Sequence, residues 1–198
     1  MDVVARRRAR IVMDERSLTQ LPPDLPVPVD DGAAAHLNGT RIPHVPLEAT
    51  DGSTVDLAGI PGTVVVFAYP RTGRPGEPSL VDDWDQIPGA RGCTPHTSGY
   101  RDLYPEFSAL GARVFGLSTQ DSDYQREMVE RVGVPFQVLS DRDLALTRAL
   151  NLPTMEVAGQ TLLKRIAWIA CDGVIVRTFY PVFPPDANAA EVLATLRE

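Results

Sequence analysis

The segment Gly92-Cys93-Thr94-Pro95 carries the strongest chemical signal in the sequence. Cys93 follows an irregular, turn-rich stretch and directly precedes residues that read as the first turn of a helix. A helix N-terminus presents unsatisfied N–H groups and a partial positive charge, and both stabilise a thiolate. Arg91 and Arg101 add positive charge in the same stretch. A thiolate is a far better nucleophile than a thiol. The competing reading is a small buried cysteine with no chemistry, because free cysteine is often buried. Local context leaves the two in balance.

The other reactive residue types are scattered. Cys171 lies 78 residues further on, which makes neither a CxxC pair nor a zinc-ligand spacing. His36, His44 and His96 lack metal-ligand spacing, and only His96 is near Cys93. It reads as an exposed residue of the first helical turn, with donation to the thiolate as the alternative. Asp82, Asp83 and Asp85 cluster without partner ligands, so neither a metal nor a cofactor is expected. Trp84 and Asp85 either line the mouth of the cysteine site or pack its loop down.

The elements that must position Cys93 are legible from about residue 45 onward. VPLEATDGSTVDL reads as two short strands around an Asp51-Gly52 turn. TVVVFAY (63–69) is a continuous apolar, β-branched run, as expected for a strand buried on both faces, and it stops at Pro70. A long excursion rich in Gly and Pro follows, RTGRPGEPSLVDDWDQIPGARG. A helix is expected to open at Thr94-Pro95, with Thr94 as N-cap and proline in the first turn. Tyr100, Leu103, Tyr104, Phe107 and Leu110 recur at helical spacing, Gly111 ends the pattern, and Pro105 predicts a kink or a broken turn.

Further on, RVFGLS (113–118) is a strand and DSDYQREMVERVG a helix with an N-cap choice and a glycine stop. FQVLS (136–140) is a strand and DRDLALTRALN a helix. TLLKRIAWIA (161–170) and VIVRTFY (174–180) flank Asp172-Gly173, a strong hairpin signal. Asp186 or Asn188 opens a terminal helix, AAEVLATLR. Strands alternating with helices imply parallel pairing by right-handed crossovers, with the late hairpin adding antiparallel strands. The fold class expected is α/β, a mixed central sheet with helices on both faces.

Residues 1–20 read as a short, polar, helical arm, and LPPDLPVPVDDGAAAHLNGTRIPHVP as an extended segment that wraps over the domain or reaches a partner subunit. The division is thus an arm and Pro-rich extension over 1–42 and a domain over 43–198, with a homodimer left open. A net charge of −7 argues against nucleic acid as the main partner. No apolar stretch approaches the ~20 residues needed to cross a bilayer. The Arg-rich start lacks the apolar core of a secretory signal, and a cytoplasmic, reducing location is expected.

Taken in order, several segments resemble the peroxiredoxin family, in particular its bacterioferritin-comigratory branch. VVVFAYP is similar to that branch's strand ending in Tyr-Pro, and GCTPHTSGYRDLY to its Gly-Cys-Thr segment followed by an aromatic-Arg-Asp triplet. VFGLSTQDSDYQRE and VLSDRD are similar to the strand and helix, and the Leu-Ser-Asp turn, that follow. The resemblance covers about residues 43–197 and implies a thioredoxin-like fold. It implies that Cys93 attacks the O–O bond of hydrogen peroxide or an organic hydroperoxide and becomes a sulfenic acid. An external thiol or a thioredoxin-like reductant then restores it, with no cofactor.

The family also holds an arginine beside that thiolate, which the apolar pattern of KRIAWI puts at Arg165 and a gap-free count back from Gly173 puts at Lys164. Gly92, Thr94 and Pro70 are the implied substrate-binding residues, and Thr72 the hydroxyl that activates the peroxide.

Two departures stand out. The family motif has a proline seven residues and a Thr or Ser three residues before the cysteine, where this chain has Gln86 and Ala90. Pro70 and Thr72 serve instead if 73–91 is an insertion that loops out. Ser98 stands where many relatives of that branch carry a resolving cysteine, so this is a one-cysteine form, a variant altered at that position, or a relative without the peroxidase cycle. Cys171 is expected about 20 Å from Arg165 along a strand, beyond disulfide reach. The alternatives to a peroxidase are a redoxin-fold enzyme repurposed for another reaction, such as a step of specialised metabolism, and a non-catalytic relative.

Overall fold

The computed structural model describes residues 14–198, so most of the arm expected over 1–20 lies outside the described residues. What is described of it is one short helix, α1 (Glu15–Thr19), opened by Asp14, whose carboxylate accepts from the Ser17 N–H at 2.6 Å.

The centre of the molecule is β3 (Thr63–Ala68), and its apolar sequence explains its place. Val64, Val66 and Ala68 point into one hydrophobic cluster, and Val65 and Phe67 into the other, so both faces of the strand are dry. β4 (Arg113–Ser118) pairs with it in parallel, and β8 (Ile166–Cys171) pairs antiparallel on the other side. Outward lie β5 (Val138–Ser140), β1 (Pro46–Ala49) and β2 (Thr54–Asp56) on one flank, and β9 (Val174–Phe179) on the other. The order is β2-β1-β5-β4-β3-β8-β9, a mixed seven-stranded sheet among the described residues.

Helices cover both faces, as expected. On one side α2 (Cys93–Asp102), α3 (Tyr104–Ala109), α4 (Ser122–Val132) and α6 (Asn188–Leu196) bury Tyr100, Phe107, Met128 and Val192. On the other, α5 (Ala145–Leu150) buries Leu146 and Leu150 beside Leu37 and Ile42 of the Pro-rich extension. The extension thus wraps over the domain. Its backbone also bonds to β9, through Gly39 N–H to Ile175 O and Ile175 N–H to Thr40 O.

Local signals account for much of this. The chain breaks between α2 and α3 next to Pro105, whose ring and missing N–H interrupt the helical ladder. Asp121 caps α4 by accepting from Tyr124 N–H at 2.6 Å, and Gly133 closes it at φ +69°. Asp172 and Gly173 both take positive φ, as the two-residue hairpin between β8 and β9 requires.

The structure corrects four expectations. Helix α2 begins at Cys93, not Thr94, because Gly92 adopts φ +101° and takes the cap position itself. The run 161–170 is not one strand. A separate hairpin of β6 (Thr154–Val157) and β7 (Gln160–Leu163), turning at Ala158-Gly159, ends before Lys164, and β8 starts after Arg165. The strand expected at 136–140 starts only at Val138, and the helix expected at 141–151 is shorter, since Asp141 turns back to accept from the backbone N–H groups of Leu146 and Thr147 at 3.0 and 2.7 Å. Neither Asp186 nor Asn188 caps α6, whose cap residue is Ala187.

Candidate active site

Cys93 is the first residue of α2 and is 4% exposed. Its place depends on Gly92. A side chain there would adopt an unfavourable φ, and its Cβ would stand 2.6 Å from Pro185 Cγ and 2.8 Å from Leu21 Cδ2. The first intrahelical bond runs from His96 N–H to Gly92 O, so the N–H groups of Cys93 and Thr94 precede the ladder and lend the sulfur a positive field. The thiol itself donates to Ala90 O at 3.5 Å.

Arg165 sits in the bend between β7 and β8 and is 3% exposed. Its Nη2 lies 3.3 Å from Cys93 Sγ and donates to the carbonyls of Gly89, Ala90 and Arg91 at 3.3, 3.2 and 3.0 Å. Its Nη1 donates to His96 Nδ1 at 3.0 Å. Among the described residues Arg165 forms no ion pair with a carboxylate. A buried cation without a counter-ion is costly, and the counter-charge this site can generate is the Cys93 thiolate. Lys164, the competing choice, points the other way and pairs with Asp31 of the extension at 2.6 Å. A one-residue change of register decides which cation faces the sulfur.

His96 is fully buried, contrary to the expectation of an exposed helix residue. Because its Nδ1 accepts from Arg165, its Nε2 carries the proton and donates to Asn188 Oδ1 at 3.0 Å, where the Tyr100 hydroxyl also donates at 2.7 Å. Burial first, and then the Arg165 cation, hold the imidazole pKa well below its usual 6.5. His96 is therefore neutral at pH 7 and serves Arg165 as an acceptor. Sequence reasoning missed this pairing, since Asn188 is 92 residues away. The other histidines lie elsewhere, His36 bonded to Leu150 O and His44 to Asp56.

A cavity of about 40 Å³ opens onto Cys93, lined among others by Thr72, Trp84, Gly92 and Thr94. Thr72 does return to the cysteine after the 73–91 excursion. Its N–H and hydroxyl both donate to Gln120 Oε1, at 2.8 and 3.1 Å, which leaves the hydroxyl oxygen as an acceptor. Gln120, another residue that sequence reasoning passed over, completes the clamp by donating from Nε2 to Thr72 O at 3.2 Å. Pro70 does not reach this cavity. It is buried at the end of β3, where its carbonyl accepts from Ser118 Oγ at 3.3 Å. Of the two loop residues, Trp84 lines the cavity, whereas Asp85 pairs with Arg91 at 3.5 Å.

Arg101 contributes little here. It lies eight residues along α2, about 12 Å from the cysteine by helical rise, and pairs with Asp102. Ser98 is half-buried and lines a separate cleft with Pro95 and Asp186. Cys171 is exposed at the far end of β8 from Arg165.

A thiol at a helix start in direct contact with a buried arginine, beside a mixed sheet covered by helices on both faces, fits a thioredoxin-like fold. The Redoxin family profile matches residues 37–193, and the chain belongs to that family. It is similar to the chloroplastic peroxiredoxin Q of Oryza sativa subsp. japonica, 27% identical over 160 residues, which cover 80% of this chain and 66% of the relative. It is also similar to peroxiredoxin bcp1 of Schizosaccharomyces pombe, 31% identical over 133 residues, which cover 66% of this chain and 58% of the relative. The chain thus spans somewhat less than two thirds of the length of these curated relatives.

Among solved structures, peroxidoxin BcpB from Mycobacterium tuberculosis superposes with a TM-score of 0.66 at 24% identity, covering 81% of this chain and 96% of that one. Xanthomonas campestris peroxiredoxin Q gives 0.60 at 23% identity, covering 88% and 97%. At these identities the likeness is one of fold, and it agrees with the resemblance read from the sequence.

Proposed function

We propose that this chain is a thiol-dependent peroxidase with Cys93 as its nucleophile. The observation that carries the reading is the 3.3 Å contact between Arg165 Nη2 and Cys93 Sγ, beside a cavity that Cys93 lines together with Thr72. A hydroperoxide entering the cavity donates its O–H to the Thr72 oxygen. The Cys93 thiolate attacks the near oxygen, an S–O bond forms and the O–O bond breaks. The sulfur is oxidised to a sulfenic acid, and the far oxygen leaves with the bonding pair as hydroxide or alkoxide. Negative charge moves from sulfur to that oxygen, and Arg165, 3.3 Å from the sulfur, stabilises the thiolate and the charge as it departs. A proton from solvent completes water or an alcohol.

An external thiol, small or thioredoxin-like, then attacks the sulfenic sulfur. Water leaves, and a second thiol equivalent releases Cys93 reduced. A reducing cytoplasm is the compartment this cycle calls for. The buried cation, the thiol and the cavity support this reading, and no observation favours a repurposed or non-catalytic one. One equivalent of hydrogen peroxide should add one oxygen to the reduced protein, trapped by dimedone at Cys93 and absent in Cys93→Ser. A reduced protein whose mass peroxide leaves unchanged would overturn the proposal.

A further inference from the structure

The Cys93 cavity is roofed from outside the family-matched segment. Leu18, in α1, is only 6% exposed and lines the same cavity as Cys93, together with Leu80 and Trp84 of the 73–91 excursion. Two glycines make room for this N-terminal segment. A Cβ on Gly73 would stand 2.9 Å from Leu18 Cδ2, and one on Gly92 would stand 2.8 Å from Leu21 Cδ2, closer than real Cβ contacts come.

The segment is also latched to the catalytic cation. The Arg91 guanidinium donates to Ser17 O, while the Arg91 carbonyl accepts from Arg165 Nη2 at 3.0 Å. The cavity that Leu18 lines with Cys93 measures about 40 Å³. At roughly 10–15 Å³ per water position, that holds about three waters. Hydrogen peroxide fits such a space. A hydroperoxide with a branched or aromatic body would have to displace Leu18, Leu80 or Trp84.

We propose that Ser17–Leu21 forms the roof of the peroxide cavity and that Leu18 is a specificity-determining residue selecting hydrogen peroxide over bulky organic hydroperoxides. The inference rests on the peroxidase reading and adds the substrate class to it. Full-length reduced protein is mixed with hydrogen peroxide or with cumene hydroperoxide, and the rate of Cys93 oxidation is followed by quenching and intact mass. Cumene hydroperoxide should react at least about tenfold more slowly, the scale on which a packed apolar wall rejects excess bulk.

Leu18→Ala should raise the cumene-to-hydrogen-peroxide rate ratio by about tenfold, and Leu18→Phe should lower it. The ratio cancels general effects on Cys93 reactivity, and the two variants move it in opposite directions. A ratio that stays the same in both variants overturns the roof. Failure of hydrogen peroxide itself to oxidise Cys93 is a separate result, which removes the peroxidase reading and the selectivity with it.

Discussion

Replacing Arg165 by Met keeps most of the side-chain length and removes the guanidinium. The hydrogen bond to Cys93 Sγ goes, as do those to the Gly89, Ala90 and Arg91 carbonyls and to His96 Nδ1. For catalysis, a preorganised donor at the site of developing charge is worth about 10²–10³-fold in rate, or about 3–4 kcal/mol. Folding is affected by opposing effects. Acceptors left without a donor cost about 1–3 kcal/mol each when fully orphaned, while removing a buried cation that lacks a carboxylate partner relieves a desolvation penalty of several kcal/mol. The two effects oppose, so stability should fall by less than the lost hydrogen bonds alone would cost, while the rate collapses.

Stopped-flow or competition kinetics of Cys93 oxidation, beside urea denaturation, separates the two effects. Lys164→Met is the internal control. Its ion pair with Asp31 is open to solvent and screened, so both rate and stability should stay near those of the unaltered protein. A rate loss below about fivefold in Arg165→Met, or an equal loss in Lys164→Met, would refute the assignment of Arg165 as the cation serving the thiolate.

Two further outcomes are expected. The folded chain holds His96 neutral to well below pH 6.5, whereas the unfolded chain protonates it near that value, so stability contributed by the neutral imidazole is complete above pH 6.5 and lost as pH falls below it. Urea denaturation between pH 7 and 5 should show this as a slope of at most about 1.4 kcal/mol per pH unit that His96→Gln reduces; identical slopes would show that His96 titrates normally. Ser98→Cys should yield, after peroxide, an intrachain disulfide with Cys93 seen as a loss of two hydrogens, together with a small loss of helical circular dichroism. Residues five apart on α2 do not face each other, so the first turn must unwind; a Cys93–Cys171 bridge in the native unaltered chain would contradict the strand placement.

Much of the scaffold was readable because its causes lie within a few residues of their effects. The apolar run of β3 marks a strand covered on both faces. Asp121 and Gly133 bracket α4, Pro105 separates α2 from α3, and Asp172-Gly173 turns β8 into β9. Cys93 at a helix start belongs to the same class, since a glycine, a proline and the helical period around it are local facts. The helix began one residue early because the conformation of Gly92 is shaped by contacts with Leu21 and Pro185, both far away in the chain.

By itself, then, the sequence determined the order of the elements outside the β6–β7 hairpin and the position of Cys93 at an electropositive helix terminus. Tertiary structure alone decided what surrounds that sulfur. Whether Arg165 or Lys164 faces it depends on where the β6–β7 hairpin ends, because consecutive residues of an extended chain point to opposite sides and a shift of one residue exchanges them. His96 is buried because α6 brings Asn188 against it, and helical periodicity does not say which partner covers a given face. Thr72 reaches the cavity only because the 73–91 excursion closes on itself, and Leu18 only because the glycine at 73 leaves it space. Each of these pairings spans tens of residues, a distance at which local propensity carries no information and close packing makes the choice.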